Sequence, residues 1–283
     1  MEEQIQGLRQ LIETKETLVN SKFISIASGK GGVGKTNFAV NFAYTLANEF
    51  GKKVLLIDAD IGMGNVHILL NMNPEKNMKH LLNGEDINDI ITHVKGFDVL
   101  FGFSGIDSLI ELEDLAVHRI LSGLDKVSSQ YDYIIIDNGA GISTKVMSFL
   151  RASNKAYLVT TSEPTALMDA YALIKSLNRL YGYSKFKIVV NMCRNKNEEI
   201  EVFEKLNNST RKFLDLNLSL AGGLSYSKNL QKAVENKAIV VEEFPTDSYS
   251  LDMKRIASIE VGEPIKEENP NFWEKVFTFL KRG

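Results

Sequence analysis

The segment Gly29-Lys30-Gly31-Gly32-Val33-Gly34-Lys35-Thr36 constrains this chain more than any other. It follows an apolar run at 23–27 and opens a helical pattern over 36–49. The spacing is G-x-x-x-x-G-K-T, and strand, loop, helix is the setting in which it cradles phosphate. Glycines take positive φ and let backbone N–H groups close on anionic oxygens. The helix that begins near Lys35 aims its positive end at the same point. Gly29, Lys30, Gly31, Gly32, Val33, Gly34, Lys35, Thr36 and Asn37 are therefore the expected phosphate and nucleotide contacts. Lys35 is expected at the β- and γ-phosphates, and the Thr36 hydroxyl directly on Mg²⁺.

Around this loop, apolar runs at 23–27, 54–58, 98–101, 133–137, 156–160 and 187–191 alternate with helical patterns. The patterns lie at 36–49, 112–127, 164–180 and 198–213. Such alternation builds right-handed βαβ units, so the expected fold is α/β, a doubly wound, mainly parallel sheet with helices on both faces. Ligands bind such sheets beyond the carboxyl ends of the strands. Ser28, Asp58, Asp137 and Asn191 stand at those ends. Three parts are expected: a helix-prone segment at 1–20, the α/β body at 21–260, and a linker with a short apolar tail at 261–283. The 283 residues suffice for one large core.

Composition excludes several classes. The formal net charge of -3 argues against nucleic-acid binding driven by bulk positive charge. The single cysteine, Cys193, cannot form an internal disulfide or supply two thiolates to an iron–sulfur cluster, and it suits a reducing cytosol. No apolar run approaches the ~20 residues of a spanning helix, and the acidic start Met1-Glu2-Glu3-Gln4 is not a secretory signal. Membrane contact is expected to be peripheral.

Two acidic loops face the phosphate loop in this scheme. Asp58 and Asp60 end the second strand two residues apart, so they share a face if the strand continues, and Gly62 and Gly64 follow. Asp137 ends the run Tyr133-Ile134-Ile135-Ile136 and is followed by Asn138-Gly139-Ala140-Gly141. A carboxylate that orients water beside a metal suffices for phosphoryl transfer.

The pattern K-G-G-x-G-K-T, with its early Lys30, resembles the deviant Walker A motif of the MinD/ParA family, P-loop NTPases of the SIMIBI class. The resemblance implies ATP and ADP as ligands with Mg²⁺, ATPase activity, and an ATP-sandwich homodimer in which Lys30 contacts phosphate across the interface. By it, Asp60 activates the attacking water, and Lys30, Lys35 and Asp60 form the catalytic set. Asp58 and Asp137 hold Mg²⁺ through water. The N–H of Gly139 or Gly141 faces the γ-phosphate, and Asn191 reads adenine beside a second base loop at 224–226. Residues 163–165 and Asp169 lie where the family builds dimer contacts. The family usually has proline where this chain has Gly139. That variant is more similar to the flagellar-number regulators FlhG (FleN or YlxH).

The two ends extend the resemblance. Glu3-Gln4-Ile5-Gln6-Gly7-Leu8-Arg9 resembles the D-Q-A-x-x-L-R motif of FlhG proteins, matching at Gln4, Leu8 and Arg9. It implies a signal-recognition-type GTPase, FlhF, as partner. At the other end, Phe272, Trp273, Val276, Phe277, Phe279 and Leu280 share an arc of roughly 160° on a helical wheel, opposite Lys275, Lys281 and Arg282. That is the signature of an interfacial helix. At ~18 Å the tail is short, so two copies on a dimer would gain avidity. The second reading is that it docks on its own domain, and the two can hold in turn, docked in the monomer and released in the dimer. The expected function is an ATP-dependent dimerising switch that sets flagellar number and placement. The expected location is the cytoplasm, peripherally on the cytoplasmic face of the cell membrane. Two alternatives share the core. A MinD-type division-site regulator departs at Gly139 and the N-terminal motif, and a ParA-type DNA-partitioning ATPase is opposed by the acidic balance and aromatic tail.

Overall fold

Runs such as Ile134-Ile135-Ile136 and Leu55-Leu56-Ile57 are too short for buried helices and are apolar at every position, so both sides must be covered. They become central strands of one sheet. The computed structural model describes residues 22–60, 64–102 and 114–265. Among these, the strands are β1 (Lys22–Ala27), β2 (Val54–Ala59), β3 (Thr92–Val94), β4 (Phe97–Leu100), β5 (Tyr133–Asn138), β6 (Lys155–Thr160), β7 (Phe186–Cys193) and β8 (Ser219–Ser225). Their order is β3-β4-β2-β5-β1-β6-β7-β8. All neighbours are parallel except β3 and β4.

The helices are α1 (Lys35–Asn48), α2 (Val66–Leu69), α3 (Met78–Leu82), α4 (Asp114–Val127), α5 (Thr144–Ala152), α6 (Pro164–Tyr181), α7 (Lys196–Leu214), α8 (Lys228–Glu235), α9 (Val240–Glu243) and α10 (Ser248–Val261). Along β2, Val54 and Leu56 enter the cluster under α1 and α10, while Leu55 and Ile57 enter the opposite one with residues of α3 and α4. A third cluster joins α5, α6 and α7 to Leu158, Ile188 and Val190. Each fully buried Leu or Ile contributes about 1.5–3 kcal/mol relative to exposure. The expected doubly wound fold is the observed one. No helix among the described residues is long and apolar enough to cross a membrane.

The short elements are the ones periodicity does not announce. β3 is three residues and pairs with β4 through a tight turn at Lys95 and Gly96, both with positive φ. β8 carries Gly222-Gly223 and pairs with β7 in shifted register, so its sequence reads as a loop. At the lower edge of the sheet, Glu260 of α10 accepts hydrogen bonds from Lys155 Nζ on both carboxylate oxygens (2.9 Å each) and from Tyr157 Oη (2.7 Å). These bonds fix the last turn of α10 where the chain leaves the body at Gly262.

β2 to β5 lie on one side of β1 and β6 to β8 on the other, so the order divides at β1. The crevice beyond the carboxyl end of such a strand is where ligands bind. Gln4, Leu8 and Arg9 lie outside the described residues. So do Phe272, Trp273, Val276, Phe277, Phe279 and Leu280, and so does the 61–63 stretch of the first acidic loop.

Candidate nucleotide site

The phosphate loop leaves β1 and enters α1 without a side-chain cap. Gly34 occupies the cap position at φ 87°, and Lys35 and Thr36 are the first helical residues. Helix α1 is held down by Phe38 and Phe42, stacked at 5.2 Å and packed on Tyr157. Glycine is required at 34 for a second reason. A Cβ there would stand 2.2 Å from Asn191 Nδ2. That amide nitrogen donates to the Val33 carbonyl (2.8 Å), and Asn191 Oδ1 accepts from the Met192 N–H (2.9 Å). Asn191, near the end of β7, thus supports the loop from beneath through its amide nitrogen, while its amide oxygen is held by the neighbouring Met192 N–H.

A cavity of 680 Å³ opens above the loop. Its walls include Gly31, Gly32, Gly34, Lys35, Thr36 and Asn37 from the loop and α1, and Asp60, Gly139 and Ala140 from the two acidic loops. Ser28, Ser143, Lys145 and Met192 also line it, together with Ala59, Asn65, Ile68, Leu69 and Val146. The volume is in the range of small-molecule sites. The structure therefore gathers most of the expected loop residues around one space. Gly29, Val33 and Asn191 stand behind it. Lys30 turns aside, where its ammonium binds Glu163 Oε2 (2.8 Å) and Thr165 Oγ1 (3.1 Å) at the start of α6.

The charge pattern is concentrated. Lys35 Nζ lies 2.8 Å from Asp137 Oδ1, with side-chain exposures of 7% and 1%. Burial pushes the Asp137 carboxyl up, against the opposing pull of Lys35. Asp58 accepts long hydrogen bonds from the N–H groups of Val66 and Asp60 (3.3 Å each). Its pKa is raised to about 7, first by burial and then by the charge of Asp137. Asp137 Oδ2, Asn138 Oδ1 and Ser28 Oγ are buried with no hydrogen-bond partner. Native interiors rarely leave such atoms orphaned without a missing ion, ligand or water.

These residues fit a magnesium nucleotide. A buried lysine and a loop of N–H groups suit phosphate, and the orphaned carboxylate oxygen suits a cation held through water. Among the described residues no group of three or more His, Cys, Asp or Glu could hold a metal by itself. That is consistent with Mg²⁺, which keeps several waters and leans on substrate phosphates. Cys193 is buried, donates to the Val190 carbonyl and has its thiol pushed up to about 12 by burial, so it is unreactive. The wall residues Ser143, Lys145 and Met192 were not expected. Lys145 and Ser143 belong to the start of α5, a helix with no clear sequence signal beyond the Ser143 cap.

Comparison with known proteins agrees with this geometry. Residues 21–190 match the AAA domain family. The chain is 36% identical to the antiactivator FleN of Pseudomonas aeruginosa, over 83% of this chain and 84% of that protein. It is 32% identical to the flagellum site-determining protein YlxH of Helicobacter pylori, over 92% and 91%. The structure of the septum site-determining protein MinD from Pyrococcus horikoshii, complexed with Mg-ADP, superimposes with a TM-score of 0.71 at 21% identity, covering 90% of this chain and 98% of that one.

Proposed function

The chain belongs to the AAA domain family and, within it, to the MinD/ParA-type P-loop ATPases, with FleN and YlxH among its relatives, and from that premise we propose that it is an ATP-driven switch controlling flagellar number and placement. One observation carries the enzymatic part. The buried Lys35–Asp137 pair lies under the phosphate loop with Asp58 in register beside it. Lys35 would hold the β- and γ-phosphates, and Thr36 the cation, while Asp58 and Asp137 hold its waters. When bound with nucleotide, Mg²⁺ supplies positive charge at the phosphate oxygens. Asp60, on the cavity wall, would orient the attacking water. The Asn191 amide, released from Val33, would read adenine.

ATP would favour a face-to-face dimer in which Lys30 leaves Glu163 and Thr165 for the phosphates of the partner subunit. Hydrolysis would return monomers. The dimer would hold the membrane through two tails. A groove of 480 Å³ between α6 and α7, lined by Leu167, Met168, Tyr171, Leu206 and Phe213, suits the tail in the monomer. Met168 and Phe213 are 71% and 57% exposed there. The segment with Gln4, Leu8 and Arg9 would act on a signal-recognition-type GTPase, FlhF. The identity to FleN and YlxH, together with Gly139, favours the flagellar role over division-site or DNA-partitioning roles. The test combines phosphate release and sedimentation of the full chain with MgATP, and flagellar counts in cells lacking the gene. Absence of turnover would remove the enzymatic reading, and unchanged flagellation would remove the cellular one.

A further inference from the structure

Lys145 is the second residue of α5, the helix that follows the Gly139-Ala140-Gly141 loop. Its half-buried side chain lines the 680 Å³ cavity. Among the described residues on that wall, Lys35 is the only other cation. Lys35 is engaged with Asp137, whereas no hydrogen bond or ion pair holds the Lys145 ammonium among the described residues. The position is also unfavourable by itself. A cation in the first turn opposes the helix dipole, and no acid in that turn offsets it. An anion in the cavity reverses the sign of that interaction, because the ammonium and the free N–H groups of the turn then act together.

A second feature points to a ligand in the same place. Ser28 is 1% exposed, lines the same cavity, and its Oγ has no hydrogen-bond partner. The phosphate loop and Lys35 approach this space from the β1 side. Lys145 shares the cavity wall with Asp60, Gly139 and Ser143, and on the ATPase reading above, in which Asp60 orients the attacking water, that wall faces the terminal phosphate.

We propose that Lys145 is a third nucleotide-binding lysine, which donates to the terminal phosphate of ATP from within the same chain and so distinguishes triphosphate from diphosphate. The proposal rests on the ATPase reading above. It differs from the role of Lys30, which needs a second subunit. Lys145 would report the γ-phosphate in the monomer, before dimerisation, and would pull the start of α5 and the glycine loop toward it.

The test is equilibrium binding of a non-hydrolysable ATP analogue and of ADP, each with Mg²⁺, to the full chain at concentrations where sedimentation shows monomer. Lys145→Gln should weaken the triphosphate about ten-fold or more, as expected for loss of a charge-assisted hydrogen bond, and change ADP affinity less than about two-fold. Lys145→Arg should retain most of the triphosphate affinity. The melting temperature of the nucleotide-free Lys145→Gln chain should be no lower than that of wild type, because the cation it removes opposes the helix dipole. Equal losses for both nucleotides, or unchanged affinity for the triphosphate, would overturn the proposal. If the wild-type chain binds neither nucleotide, the ATPase reading fails first and this one falls with it.

Discussion

Asp58 and Asp137 are direct Cα partners on the adjacent parallel strands β2 and β5, and both are buried. Two carboxylates in that register cannot both ionise cheaply without a cation between them. The pair is therefore the part of the site that most strongly calls for a metal, and its cost in the empty protein is measurable.

Asp58 has a pKa of about 7 against an ordinary 3.8, raised first by burial and then by Asp137. Between those values the folded chain holds a proton that the unfolded chain has released, so stability falls as pH rises through the window. The slope from one such group is at most about 1.4 kcal/mol per pH unit. Without nucleotide or Mg²⁺, Asp58→Asn should be more stable than wild type at pH 8, and the gap should close toward pH 5. Denaturant titrations across that range give the comparison. A gap that widens at low pH would contradict the assignment.

Lys35 has a structural duty besides the phosphate-binding role proposed for it. Removing it leaves the Asp137 carboxylate buried without its ammonium partner, a loss of about 3 kcal/mol for a broken buried pair. Lys35→Ala should lower the melting temperature of the empty chain and abolish nucleotide binding. Adding Asp137→Asn should recover part of the stability and none of the binding, which separates the two duties.

Asp60 lines the cavity without closing it, and its carboxylate is not part of the Lys35–Asp137 pair. Asp60→Ala should keep ATP affinity within about two-fold and cut turnover by about 100-fold or more, the scale of a general-base or water-orienting group. Sedimentation with MgATP should show dimer accumulating. Unchanged turnover would take Asp60 out of the chemistry.

That the loop, Asp58, Asp60 and Asp137 come together was legible because residue types in that pattern share one setting, the carboxyl ends of neighbouring strands. A lysine and threonine after spaced glycines suit phosphate, and an aspartate ending an apolar strand has little reason to be buried except to serve a site. β1, β2, β4, β5, β6 and β7 were legible from runs such as Ile134-Ile135-Ile136, which only a doubly covered sheet can hide. β8 was not, because Gly222-Gly223 gives no side-chain period. The burial of Asn191 beneath Gly34 and the tether of Lys30 to Glu163 join residues more than a hundred positions apart. No local pattern encodes such contacts. Lys145 was missed for a related reason: a lysine early in a short helix reads as solvated surface until the cavity beside it is known.

Gly139 sits where a Cβ would stand 3.1 Å from Asp60 Oδ1. The glycine lets the first acidic loop lie against the second. A methyl group at 139 must displace the carboxylate by a few tenths of an ångström, and small misplacements of a reacting group are costly. Gly139→Ala should therefore lower kcat several-fold with little change in ATP affinity. Equal turnover in the two proteins would show that Asp60 moves freely of residue 139 when nucleotide is bound.

The tail poses the sharpest choice between two uses of one apolar face. Six large apolar side chains lie within residues 271–283, and the groove between α6 and α7 exposes Met168 and Phe213. If the tail covers that groove in the monomer and enters the lipid surface in the dimer, two variants should separate. A chain lacking residues 271–283 should lose ATP-dependent sedimentation with anionic liposomes and keep its ATPase activity. Met168→Glu should loosen the docked state and raise liposome binding without ATP, because the tail is then free at all times. Retained sedimentation of the truncated chain would make the tail a docking element only. Unchanged binding by Met168→Glu would leave the tail a membrane anchor that the groove does not hold.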